Sequence, residues 1–189
     1  MRGILKILLV FVVILTACDR NYVPKPEGYL RVVYPEKAYQ TFNEAKPYSF
    51  EYPAYARVEK HKSKATEPYW YDLEFPDFNG TIYLSYKQID GDIRDYIQDT
   101  RTLVYKHASR SDGIDEIPFL DTVNRRYGIL YDLRGNVASP VQFFLTDSTR
   151  HFLRGSLYFN ATPNRDSLNP IINYIRQDID HLMESVRWK

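Results

Sequence analysis

The sequence predicts an α+β domain: a largely antiparallel sheet of about six to eight strands flanked by two amphipathic helices, each element burying its apolar side against another layer. Three observations predict it. Runs of alternating aromatic and β-branched residues recur along the chain, two segments instead carry apolar residues at helical spacing, and the strand runs are joined by short turns that suit antiparallel neighbours. Seventeen tyrosines and ten phenylalanines supply much of the apolar area for a core.

The first segment stands apart from that domain. Arg2 and Lys6 lead into an apolar run from Ile7 to about Leu15, followed by Thr16, Ala17 and Cys18. A basic start, a short hydrophobic stretch and small residues at the cut make a secretory signal peptide. A cysteine directly after the cut is the acceptor of a lipid thioether, so residues 1–17 are read as a lipoprotein signal peptide and Cys18 as the lipidated first mature residue. The run is too short to cross a hydrocarbon core that takes about 20 apolar residues. Palmitate-type acyl chains hold such a protein to a membrane, each buried methylene contributing about 0.8 kcal/mol.

Residues 18–47 read as an arm. Pro24, Pro26, Pro35 and Pro47 disfavour regular helix and favour extended backbone. Tyr29, Leu30, Val32, Val33, Tyr34 and Tyr39 are too apolar for a free tether, so the arm is expected to pack along the domain or onto a partner. A single α+β domain is then expected over residues 48–189.

Within it, residues 48–52, 69–75 and 80–87 alternate as strands do. Asn79-Gly80 is a tight-turn dipeptide, which predicts a hairpin of 69–75 with 80–87. Asp90, Asp92 and Asp95 mark a helix start, where carboxylates meet free amides and the positive end of the dipole. Ile93, Tyr96, Ile97, Thr100, Val104 and Ala108 form its apolar face, and it is expected to end near Ser111 to Gly113. Four strands follow over 114–121, 125–133, 137–146 and 150–160, as an antiparallel meander. Asn169-Pro170 is expected to open a second helix with proline at its first position. Its stripe is Ile171, Ile172, Ile175, Ile179, Leu182, Met183 and Val186, and it is expected to end near Trp188. The resulting sandwich is similar in layout to the PsbP and Mog1 proteins, a likeness that does not fix function.

Charge and composition exclude several classes. Loss of Arg2 and Lys6 takes the formal charge from +1 to about −1, and no basic stripe stands out, so nucleic acid is not an expected partner. Cys18 is the single cysteine, which leaves no thiol for a disulfide or thiolate metal site once it is acylated.

Candidate chemistry is thin. His61, His107, His151 and His181 are scattered and none has a metal-ligand spacing. Asp178, His181 and Glu184 lie three residues apart on the second helix, where a solvated polar face explains them better than a metal site. Asp147, Ser148 and His151 hold the residue types of a nucleophilic triad, yet turn chemistry accounts for Asp and Ser there. Asp90, Asp92, Asp95 and Asp99 lack the glycine and terminal glutamate of a calcium loop, and helix capping suffices. No phosphate loop or nucleophile elbow is present, so no catalytic residue, cofactor or metal is expected. Tyr69, Trp70 and Tyr71 are the densest aromatic run and the candidate binding residues. Alternation sends Trp70 one way and its neighbours the other, placing one face in the core and one on a contact surface.

Long collinear segments carry a resemblance. They are Tyr22 to Arg31, Ser63-Lys64 with Glu67 to Trp70, Asp99 to His107, Tyr127 to Asp132, Val141 to Arg150, His151 to Asn160, and Asp180 to Glu184 with Trp188-Lys189. On these the chain resembles the gliding-motility lipoprotein GldD family of the Bacteroidota. The resemblance implies a non-enzymatic scaffold or stabilising partner in the gliding and type IX secretion machinery of the cell envelope. Its implied partners are other gliding-motility and secretion lipoproteins or outer-membrane proteins, with the lipid anchor on the membrane. The periplasmic face of the outer membrane is the expected location and the inner membrane the alternative, which Asp19 after the cysteine favours under enterobacterial sorting rules. Two other readings stand beside this one: a periplasmic glycan- or small-ligand-binding protein or envelope hydrolase, and a chaperone that presents a sheet edge to clients.

Overall fold

A computed structural model describes residues 33–43, 47–63 and 67–189. Cys18 and the first part of the arm lie outside the described residues.

Among the described residues ten strands form two sheets. β1 (Tyr39–Phe42), β2 (Tyr48–Pro53) and β10 (Arg187–Trp188) make a three-stranded antiparallel sheet with β2 central. The main sheet has seven antiparallel strands in the order β3-β4-β5-β9-β8-β7-β6. Its strands are β3 (Arg57–Lys60), β4 (Tyr71–Phe75), β5 (Gly80–Gln88), β6 (Gly113–Asp121), β7 (Arg126–Arg134), β8 (Val141–Thr146) and β9 (His151–Phe159). Two α-helices among the described residues, α1 (Ile93–Tyr105) and α2 (Arg165–Ser185), complete the expected α+β sandwich.

The inner face of the main sheet carries Leu73, Phe75, Ile82, Leu84, Tyr86, Leu130, Phe143, Leu145, Leu153 and Leu157. Ile172, Ile175, Ile179, Leu182 and Met183 of α2 pack there, together with Phe42, Tyr48 and Phe50 of the small sheet. Each large side chain buried there stabilises by about 1.5–3 kcal/mol. The Phe143 ring of β8 lies over Gly155 of β9, where a Cβ would stand 2.2 Å from it. The outer face is covered differently. Val104 of α1 joins Tyr131, Leu133, Phe144 and Phe152, with Tyr96 and Ile97 at the margin, so α1 lies over β7, β8 and β9.

Several expected boundaries moved, each for a local reason. The first helix stops at Tyr105, and a single 3-10 turn over Ala108–Arg110 replaces its expected last turn. Asp92 caps its start, accepting from the Arg94 amide at 2.9 Å. The second helix opens at Arg165, earlier than Asn169-Pro170 predicts, because the Asn164 side chain accepts from the Ser167 amide at 3.2 Å and nucleates a turn ahead of Pro170. Pro170 therefore lies inside the helix and forgoes one bond to the first turn. It ends at Ser185: Val186 is extended, and Arg187 and Trp188 pair with Ser49 and Tyr48 of β2. The hairpin strand begins at Tyr71, since Tyr69 takes a left-handed φ of 68° that strand pairing excludes. Asn79 ends a 3-10 turn over Pro76–Phe78 with φ 51°, and Phe75 then faces Gly80 across the hairpin.

Residues 33–43 lie against the domain. Tyr39–Phe42 pairs with Phe50–Pro53, and the Tyr34 ring stands 4.6 Å from Tyr174 of α2.

Candidate functional site

Strand register determines which side chains share a row on the outer face. Tyr131, Gln142, Ser156, Tyr83, Asp72 and Glu59 align across β7, β8, β9, β5, β4 and β3, and Phe144, Arg154 and Ser85 form the next row. Because α1 sits over β7 to β9, no described helix covers the outer side of β3, β4 and β5.

A chain of rings crosses that open half. The Lys87 ammonium lies 5.8 Å from the Trp70 ring centre, Trp70 is 6.1 Å from His61, His61 meets Tyr83 edge-on at 5.8 Å, and Tyr83 meets Tyr158 at 5.7 Å. Each ring is held by a separate contact. Trp70 donates its indole N–H to the Tyr86 carbonyl at 2.9 Å, and His61 Nδ1 is 2.7 Å from Asp72 Oδ1. Tyr83 remains 42% exposed, the largest apolar exposure on this half of the sheet. Partial burial, with Asp72 and Glu74 beside it, raises its hydroxyl pKa, so it stays a neutral donor at physiological pH. Edge-on ring pairs and a cation over indole are each worth about 0.5–1.5 kcal/mol, enough to preorganise the row. Preorganised aromatic rings with polar tips are the groups that anchor protein interfaces.

At the β4–β5 end the same face deepens into a cleft of about 540 Å³ lined by Glu74, Asn79, Thr81, Tyr83, Tyr158 and Asn160 among others. It combines ring faces with amide and carboxylate groups.

The run Tyr69, Trp70, Tyr71 divides among three environments. Trp70 joins the open row, Tyr71 packs against Phe42 in the core at 4.9 Å, and Tyr69 lies at the margin, 40% exposed and edge-on to Tyr86. Cys18 lies outside the described residues. Sequence reasoning did not bring His61, Tyr83 and Tyr158 together, although the alternation of Tyr83, Ser85 and Lys87 marked the polar side of β5.

The other sequence-level candidates resolve into structural roles. Asp147 accepts from the Thr149, Arg150 and His151 amides at 3.0, 2.8 and 2.9 Å, as its turn requires. Burial alone would raise its carboxyl, but these donors hold it well below the usual carboxylate range. His151 is buried, stacked 5.2 Å from Trp188 and bonded to the Tyr86 hydroxyl at 2.9 Å. Asp178 departs from the expected solvated face: it is 1% exposed and accepts from Lys37, Tyr39 and Tyr55. His181 stacks on Tyr39 at 3.6 Å and meets Glu51 at 2.7 Å. Among the described residues no group of three or more histidine, cysteine and carboxylate side chains is placed to hold a metal ion.

By class, the molecule is an α+β sandwich whose described helices leave part of one sheet face uncovered. It is similar to the solution structure of cyanobacterial PsbP (CyanoP) from Synechocystis sp. PCC 6803, at 13% identity and a TM-score of 0.49, over 87% of this chain and 100% of that one. No curated protein matches it. The model of one family, described as gliding motility lipoprotein GldD, matches residues 19–188, and the chain belongs to that family. Membership makes it a membrane-anchored protein of the cell envelope. No described helix is long and apolar enough to cross a membrane.

Proposed function

We propose that this chain is a non-enzymatic scaffold of the gliding and type IX secretion machinery, tethered through acylated Cys18 and docking neighbouring envelope proteins on the open half of its main sheet. The observation that carries this reading is the row Lys87, Trp70, His61, Tyr83 and Tyr158, held in place on a face that no described helix covers. Family membership supports the motility assignment. The periplasmic face of the outer membrane is the proposed location, with the inner membrane as the alternative that density fractionation tests.

Tyr83→Arg in the full-length chain tests the docking role. It places a charge at the centre of the row without touching the buried core. Co-purification of the partner complex and motility are expected to fall together while thermal stability stays within about 1 kcal/mol, as for surface substitutions. Retained motility and retained complex would refute the role of this face.

One observation favours a second reading, glycan binding: the cleft beside Tyr83 and Tyr158 pairs rings with Glu74, Asn79 and Asn160. Titration with peptidoglycan fragments separates the two, since only glycan binding predicts saturation that Tyr158→Ala removes.

A further inference from the structure

Strand β6 ends the main sheet. It pairs with β7 over all nine residues, Gly113–Asp121, and no described strand takes up its other edge. A free edge of that length, about 30 Å, templates another strand unless charge, proline or a covering element blocks it. The charges on β6 are spent within the chain. Asp115 pairs with Arg134 at 3.3 Å, Glu116 with Arg101 at 3.5 Å and with the Tyr105 hydroxyl at 2.8 Å, and Asp121 with Arg126. Exposed pairs of this kind add little stability, but they match each acid of the strand with a base before another strand arrives. Pro118 removes one backbone donor from the strand. What stands open is apolar: Ile117 is 42% exposed, Leu120 75%, and Val123 in the turn that follows 89%. Exposed apolar side chains gathered in one place mark a contact surface.

A second copy of β6 fits this edge in one register. Opposed residues of an antiparallel pair turn their backbone groups the same way, so two identical strands related by a twofold axis pair about a single residue. Centred on Ile117, all nine residues find a partner: Ile114 faces Leu120 of the second copy, Asp115 faces Phe119, Glu116 faces Pro118 and Gly113 faces Asp121. No two acids meet. A centre at Glu116 sets that carboxylate against itself, and one at Pro118 sets Asp115 against Asp121, arrangements that like charge disfavours.

We propose that the chain forms a twofold dimer in which β6 of two copies pairs edge to edge about Ile117, joining their main sheets. The pairing consumes both free β6 edges, so it closes at two copies. It lies at the opposite end of the sheet from β3 and does not rest on docking at the open half-sheet.

Cysteine crosslinking of the full-length chain in cell membranes tests the dimer and its register, because Cys18 is the single natural cysteine. Ile117→Cys is expected to give a disulfide-linked homodimer under mild oxidation, since opposed residues of an antiparallel pair have Cα atoms about 4.5–5.5 Å apart, within disulfide reach. Glu184→Cys, exposed on α2, reports chance collision. The Ile117→Cys yield is expected to exceed it by about tenfold or more, as held thiols meet at a high effective concentration. Ile114→Cys and Leu120→Cys are each expected to stay uncrosslinked alone, with identical residues about 20 Å apart, and to crosslink to one another when co-expressed. Equal yields at Ile117→Cys and Glu184→Cys overturn the dimer. Capture of a different envelope protein by Ile117→Cys, in place of a second copy, assigns the edge to that protein and overturns it too. Crosslinking of Leu120→Cys to itself overturns the register about Ile117.

Discussion

Lys37 and Asp178 lie 141 residues apart in sequence and 2.8 Å apart in space. The pair joins the segment leading into β1 to the buried side of α2, and Tyr39 and Tyr55 complete the carboxylate shell at 3.0 and 2.5 Å. Lys37 also donates to the Tyr174 carbonyl at 2.8 Å, so its ammonium bridges two elements. Burial lowers the Lys37 pKa despite the carboxylate, and raises both tyrosines out of the physiological range.

Asp178→Ala is expected to destabilise by about 3–5 kcal/mol, because it strands a partly buried ammonium and two hydroxyls. Lys37→Met removes only the more exposed partner and leaves Asp178 two tyrosine donors, so it is expected to cost less. Urea unfolding of both variants measures the order, and a larger loss for Lys37→Met would contradict this account.

His151 makes stability depend on pH. Burial lowers its pKa, with Asp147 opposing and Arg150 assisting, and burial lowers His107 as well. An unfolded histidine binds its proton near pH 6.5, about where the folded one still refuses it. The unfolded state then holds more protons, so stability falls as pH drops from about 6.5 toward the folded value, by at most about 1.4 kcal/mol per pH unit for each group. His151→Gln is expected to flatten that slope in denaturant titrations between pH 7 and 5.

Gly155→Ala tests the packing of the Phe143 ring over Gly155. Its Cβ would meet the Phe143 ring, which is 1% exposed and cannot swing into solvent. Overpacking of this kind costs about 1–3 kcal/mol. Phe143→Leu is expected to recover part of the loss in the double variant, and an additive double variant would remove the steric explanation.

Cys18→Ala is expected to move the protein from the membrane to the soluble fraction while circular dichroism of the domain is unchanged. Mass spectrometry of the natural protein is expected to find acyl chains on Cys18. Membrane retention of an unacylated chain would refute the anchor.

Much of the architecture was legible in the residues. The polar side of β5 follows from alternation, and the α1 stripe of Ile97, Thr100 and Val104 from helical spacing, since burial of one face imposes a period on local sequence. The short elements were not. β1, β3 and β10 have four, four and two residues, too few to display a period, and they exist because β2 and β4 offer edges to pair with. Asp178 misled for a related reason: on a helical wheel a carboxylate beside a histidine reads as solvent-facing, whereas Lys37 and two tyrosines from distant segments compensate its burial.

The sequence by itself determined the α+β class, the order of the long elements and the family resemblance, because these depend on periodicity and collinear residues close along the chain. Only the tertiary structure decided which half of the sheet α1 covers and that Trp70, His61, Tyr83 and Tyr158 form one row. Those facts depend on strand register and on which segments meet across tens of residues, and no local pattern encodes a contact whose partner lies elsewhere in the chain.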